Sequence, residues 1–292
     1  MKTITKVEAG ERRKTFIFLI PSLLGVLLFF ILPFLVVIRY SMIDNPVQGN
    51  FVFLKNFISL IQNNAFRRAM MNSLTFSVIA VPLAVVLSLM LAVLLSGNLP
   101  FRTQLRTVFI SPLMVPVASV VLIWQVIFHY NGVFNDFLAL FGVTAIDWLK
   151  SDYSMFVTVT LYLWKNLGYN MILFMAALAA IPKEILEVAE LDGCGSVGRF
   201  FRIKLRYLSS SILFVSILSL INSFKVFREV YLLTGDYPYD SLYMLQHFMN
   251  NTFRSLDYQK LSSAAIIICI IMIIIIGVLF VIDRRFGEDI EE

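Results

Sequence analysis

Six apolar stretches, over 15–39, 71–96, 107–128, 154–178, 208–228 and 261–282, alternate with polar connections along this chain. A helix needs about 20 residues to cross about 30 Å of hydrocarbon. The pattern therefore predicts an all-α fold, a six-helix transmembrane bundle. The expected organisation is a tail at 1–14, a membrane domain at 15–285 and an acidic tail at 286–292. Turn residues punctuate the longer connections at Asn45-Pro46, Asn131-Gly132 and Thr234-Gly235-Asp236. Pro33, Pro82, Pro112 and Pro116 are placed to bend their helices, since proline removes a backbone donor. The first stretch reads as a signal anchor and not a cleaved signal peptide, because it is long and RYSMIDNP follows it instead of an Ala-x-Ala site.

Charge fixes the expected orientation. With the N-terminus inside, the inner connections hold 14 Lys and Arg residues and the outer ones 6. Lys and Arg accumulate on the cytoplasmic side, so both termini of a multi-pass membrane chain are expected in the cytoplasm. The outer connections become 40–70, 129–153 and 229–260. Their Trp148, Tyr153, Tyr237, Tyr239 and Tyr243 suit the headgroup level.

Composition narrows the function classes. The chain is 59% hydrophobic and 15% charged, against about 25% charged for a soluble domain. Its net charge of +5 resides in residues flanking apolar spans, not in a basic stripe, which argues against a nucleic-acid partner. His129 and His247 are far apart and no His-x-x-x-His pair exists, so no metal site is expected. Cys194 and Cys269 cannot make a disulfide framework. No GxxxxGK[ST] loop is present, and no catalytic residue set is expected.

The interval 181–208, IPKEILEVAELDGCGSVGRFFRIKLRYL, stands apart. Pro182 opens a predicted short helix over 183–192, with Glu184, Glu187 and Val188 at helical spacing. Asp192-Gly193 marks a tight turn, and Ser196 is placed to cap a second short helix carrying Val197, Phe200 and Phe201. The interval reads either as an apolar knob that docks in a groove of another protein or as an amphipathic segment lying on lipid.

Glu187-Val188-Ala189, Asp192-Gly193, Phe200 or Phe201, Ile203 and Leu205 resemble the EAA loop of bacterial ABC importer permeases. Val188, Cys194 and Arg206 depart from that family's Ala, Ala and Pro. The resemblance extends further. It takes in Phe101-Arg102-Thr103, Ser111-Pro112-Leu113-Met114-Val115-Pro116 and Trp164-Lys165-Asn166-Leu167-Gly168-Tyr169-Asn170. It continues through Asn222-Ser223-Phe224-Lys225-Val226-Phe227 and Tyr231-Leu232-Leu233-Thr234-Gly235, with Asp236 and Tyr237 in place of the usual glycines before Pro238. These stretches are similar to the binding-protein-dependent sugar permeases of the maltose and glycerol-phosphate type, which have the MetI-like fold. The resemblance implies a transport subunit, not an enzyme. It implies a second homologous permease, two copies of a cytoplasmic ATPase that use ATP, and an external solute-binding protein. No cofactor is expected on this chain. Glu187, Ala189, Asp192, Gly193, Phe200 and Ile203 would then form the coupling surface to the ATPase.

Polar residues within the spans need protein or water around them. Asn166, Asn170 and Asn222 read either as lining for a sugar path or as helix–helix glue. Trp124, Phe224, Phe227 and Tyr231 are candidate stacking surfaces. Lys165 reads as structural or snorkelling, and Arg228 with Glu229 as an interfacial pair. A phosphate-bearing cargo would call for positive charge in the path, which Lys165 and Lys225 could supply. As the sequence does not place either there, a neutral di- or oligosaccharide is the expected cargo and a glycerol-phosphate type the alternative. A self-contained secondary transporter would need no docking loop.

Overall fold

The computed structural model describes residues 18–97 and 99–287. The tail at 1–14 with its five basic residues, and residues 288–292 of the acidic tail, lie outside the described residues. The described chain is helical, apart from turns and one isolated bridge between Ile43 and Phe51. Among the described residues, four helices are long and apolar enough to cross a membrane: α1 (Phe18–Ser41), α3 (Asn64–Ser96), the run Ser209–Thr234, and the last helix, α14, apolar over Tyr258–Arg285. The chain divides into two units, one of 1–63 with 252–270 and one of 64–251 with 271–292.

In the first unit, α1 contains a π-turn at Leu27–Ile31, where Leu32 N–H reaches back to Leu27 O. Pro33 follows directly; a π-turn is one way a helix absorbs the donor and the space that proline takes away. Beyond α1, Asp44 accepts from the backbone of Asn45 and Asn50, and Asn56 donates to the Ser41 and Ile43 carbonyls, tying the turn to α2 (Lys55–Gln62).

The second unit is built on α3. Ala69, Ser73, Ser77, Ala80, Ala84, Ser88 and Ala92 recur at helical spacing and all are buried. Small side chains let helices approach closely where lipid supplies no hydrophobic driving force. α7 (Ser154–Ala179) packs on this stripe, and α11 (Ser209–Phe224) also packs on α3. Phe76, Ala80, Tyr162 and Val230 form one core layer; Leu89, Met171, Phe174 and Val215 form a second. The Ser77 and Ser223 hydroxyls meet at 2.8 Å between α3 and α11. α7 is long enough to span, but Lys165, Asn166 and Asn170 dilute its apolar character and keep it out of the four strongest spans.

The stretch 107–128, expected as one helix, is broken. α4 (Arg102–Met114) and α5 (Val117–Ile127) meet at 104°. Pro116 is the cause. Its ring excludes α geometry from the residue before it, and Val115 is extended at φ −85°, ψ 128°. Pro112, by contrast, sits within α4.

Between α5 and α7, residues 128–153 fold around Asn135. That side chain, 4% exposed, donates to the Tyr130 and Ile146 carbonyls at 2.8 Å. It accepts from the Trp148 indole N–H at 2.8 Å. Trp148 is therefore buried beside Phe128 and Phe134. α6 (Val133–Ala139) carries Asn135 into this position.

Candidate functional site

α7 ends at Ala179, and only Ala180, Ile181 and Pro182 separate it from α8 (Lys183–Leu191). Pro182 is the N-cap of α8 and not its first helical residue, at φ −57°, ψ 130°. α8 stops in a Schellman turn. Gly193 N–H donates to Glu190 O at 3.0 Å and Cys194 N–H to Ala189 O at 2.9 Å. This closure requires a left-handed residue, and Gly193 has φ +74°. A side chain there has room around its Cβ but not the backbone conformation.

α9 (Ser196–Arg199) follows, with Gly195 as its N-cap; Ser196 is the first helical residue and makes no capping hydrogen bond. Phe200–Lys204 form a π-turn that leads into α10 (Leu205–Tyr207). Arg206 thus lies within a helix at the position where the resembled family has proline. Arg199 reaches back to Glu190 at 2.5 Å, bracing α9 against α8. Glu187, Val188, Leu191, Asp192, Gly193, Val197 and Phe201 are exposed, whereas Ala189, Phe200 and Ile203 are half-buried. The result is a small apolar and acidic knob joined to α7 through a three-residue link.

A second polar feature lies in the bundle. A cavity of about 250 Å³ is bounded by Leu113 of α4, by Tyr162, Lys165 and Asn166 of α7, and by Asn222, Lys225, Arg228 and Glu229. The latter group straddles the joint between α11 and α12 (Phe227–Thr234). Asn222 Nδ2 donates to Asn166 Oδ1 at 3.2 Å, and Asn166 donates to the Tyr162 carbonyl at 2.8 Å. Lys165 Nζ pairs with Glu229, which is buried. Arg228 and Glu229, adjacent in α12, do not pair with each other. Lys225 and Arg228 make no ion pair among the described residues.

The other expected path residues fall elsewhere. Asn170 is 1% exposed and donates to Ser219 Oγ at 2.9 Å, while Tyr162 donates to the Ser219 carbonyl at 2.7 Å; both link α7 to α11. Trp124 is buried and stacked on Phe128 at 5.1 Å. Tyr231 packs on Phe227 at 5.4 Å, and Phe224 is half-buried; none of these three aromatics lines the cavity. The sequence had offered a signal for the Lys165–Glu229 pair, namely opposite charges in separate apolar stretches. It offered none for Gly168, where a Cβ would collide with the Phe109 carbonyl of α4.

Beyond the cavity, α13 (Leu245–Arg254) buries His247 completely. Its ring meets Phe227 edge-on at 4.7 Å, and its Nδ1 accepts from Met244 N–H at 3.3 Å. Burial lowers its pKa to about 4, with Asp236 opposing in part.

An all-helical membrane subunit with a polar cavity within its bundle and an exposed knob on an interhelical connection is the architecture of a transport permease. The chain belongs to the family of binding-protein-dependent transport system inner membrane components, whose model matches residues 84–290. It is 27% identical to the trehalose/maltose transport system permease protein MalF of Thermococcus litoralis over 290 residues, 98% of each chain. It is 31% identical to the sn-glycerol-3-phosphate transport system permease protein UgpA of Pectobacterium atrosepticum over 279 residues, 94% of this chain and 93% of that one. Its fold is similar to a subunit of a bacterial alginate ABC transporter solved in complex with an alginate pentasaccharide-bound periplasmic protein. The TM-score is 0.81 at 19% identity, covering 94% of this chain and 96% of that one.

Proposed function

We propose that this chain is a permease subunit of an ATP-binding cassette importer for a carbohydrate. It forms the membrane path with a second, homologous permease. Two cytoplasmic ATPase subunits drive it, and an external solute-binding protein loads it. The chain crosses the membrane six times, the broken pair α4–α5 and the polar α7 each counting as one crossing, with both termini in the cytoplasm. Relatives named for trehalose and maltose, for glycerol phosphate and for alginate all favour this reading, and the last was solved with a periplasmic protein bound.

The observation that carries the coupling role is the continuity of α7 with α8, closed by the left-handed Gly193. A docked α8 cannot move without carrying α7, which lines the cavity. ATPase closure would then shift a bundle with two discrete arrangements. The bare alternative, an amphipathic segment resting on lipid, gives the Glu190–Arg199 brace no use.

The test is Gly193→Arg in the complete complex reconstituted with its ATPase and binding-protein partners. The chain is expected to insert and the complex to assemble and hydrolyse ATP, while uptake is lost. Uptake coupled at the unsubstituted ratio would remove Gly193, and with it the α8 knob, from the coupling role.

A further inference from the structure

We propose, on the basis of the importer reading above, that the carbohydrate carried here bears negative charge, and that Lys225 and Arg228 receive its carboxylate, phosphate or sulfonate group. Three cationic side chains and one carboxylate border the cavity at the α7, α11 and α12 junction. Glu229 is committed to Lys165. Lys225 and Arg228 are left without a counter-charge among the described residues.

Both are exposed side chains in the latter half of the 26-residue apolar run Ser209–Thr234, where they line the cavity beside the buried Glu229. They carry the same sign of charge on either side of the joint at Lys225-Val226. A neutral sugar brings these two cations no counter-charge, because hydroxyl groups are served by amides. The Asn166–Asn222 pair supplies those amides at the same cavity wall. An anionic group supplies that counter-charge. The guanidinium fork matches a planar carboxylate or a phosphate with two parallel hydrogen bonds, and the ammonium adds a point charge beside it. The Lys165–Glu229 pair holds the third cation out of this count. That moderates the attraction, as a path must bind its cargo and also let it go. The neutral-cargo expectation rested on Lys165 and Lys225 having no fixed place in the path; both border the cavity.

The experiment is ATP-dependent uptake by the complete complex in proteoliposomes, with its binding protein. Labelled oligogalacturonides and sn-glycerol 3-phosphate are run beside maltotriose. The expected result is uptake of an anionic solute and not of maltotriose. Lys225→Gln with Arg228→Gln should reduce that uptake by about tenfold or more, and Arg228→Lys in place of Arg228→Gln should restore most of it. Uptake of maltotriose alone would overturn the anionic assignment and leave the importer reading standing. So would anionic uptake indifferent to the two substitutions. Absence of ATP-dependent uptake for any glycan or glycerol phosphate would bring down the importer reading itself.

Discussion

His247 is enclosed by Phe227 and Tyr243, and its Nε2 has no hydrogen-bond partner, so a proton there would place a charge among aromatic rings. Its folded pKa of about 4 lies below the ordinary 6.5. Between those values the unfolded chain binds more protons, so stability rises with pH. The contribution is complete above pH 6.5 and is lost progressively as pH falls toward 4. The full loss is about 3 kcal/mol, at 1.36 kcal/mol per pH unit. Thermal unfolding of the purified protein should therefore shift downward between pH 7 and pH 4.5, and His247→Leu should flatten that shift. An unchanged pH profile in the variant would mean that other groups set the acid limit. Nothing in the sequence separated this histidine from His129, which lies in the turn after α5; only burial does. Gly193 was legible beforehand, because Asp-Gly after a short amphipathic stretch points to a helix end that needs positive φ.

At the scale of elements, the apolar pattern alone drew 107–128 as one helix, while Pro116 was placed to bend it, and the chain turns there by 104°. Periodicity reports which residues avoid water, and both arms of a bent helix avoid it equally. The bend comes from Val115-Pro116, a local steric rule that a hydropathy window averages away. The path residues divided for a related reason. Asn166 and Asn222 share the cavity, but Asn170, one turn farther along α7, is glue against Ser219. Residue type cannot distinguish these roles, because an amide serves both. The Lys165–Glu229 pair joins α7 to α12, and its members should depend on each other. Glu229→Gln alone strands an ammonium in the bundle and should lower stability by on the order of 1–3 kcal/mol, less than for a fully buried pair because Lys165 is partly exposed. Lys165→Met with Glu229→Gln should recover most of it. Additive losses in that double-mutant cycle, read from thermal stability in detergent, would show that the two side chains do not support one another.

For the whole molecule, the distribution of Lys and Arg is the main guide to orientation, and it makes a testable statement about the only two cysteines. Cys194 lies in the Schellman turn of the interval assigned to the cytoplasm, and Cys269 lies within α14. In a Cys269→Ser background, a membrane-impermeant maleimide should label Cys194 in inverted membrane vesicles and spare it in intact cells. Labelling from outside would reverse the topology and place the α8 knob away from any ATPase. The family was legible because its motifs fall where the fold has joints: at the α4–α5 bend, through the middle of α7, along α8 and its turn, and at the α11–α12 junction. The charge inside the cavity was not legible, because it depends on which of four ionic side chains finds a partner.

The contact at Gly168 bears on how the bundle comes together. There the α7 backbone rests on the Phe109 carbonyl of α4, with no side chain between them that could rotate aside. The polar side chains of the same helix, Lys165, Asn166 and Asn170, find their partners on α11 and α12 instead. α7 is thus held by backbone contact on one side and by polar side chains on the other, and a substitution at 168 would part the first grip while leaving the second in place.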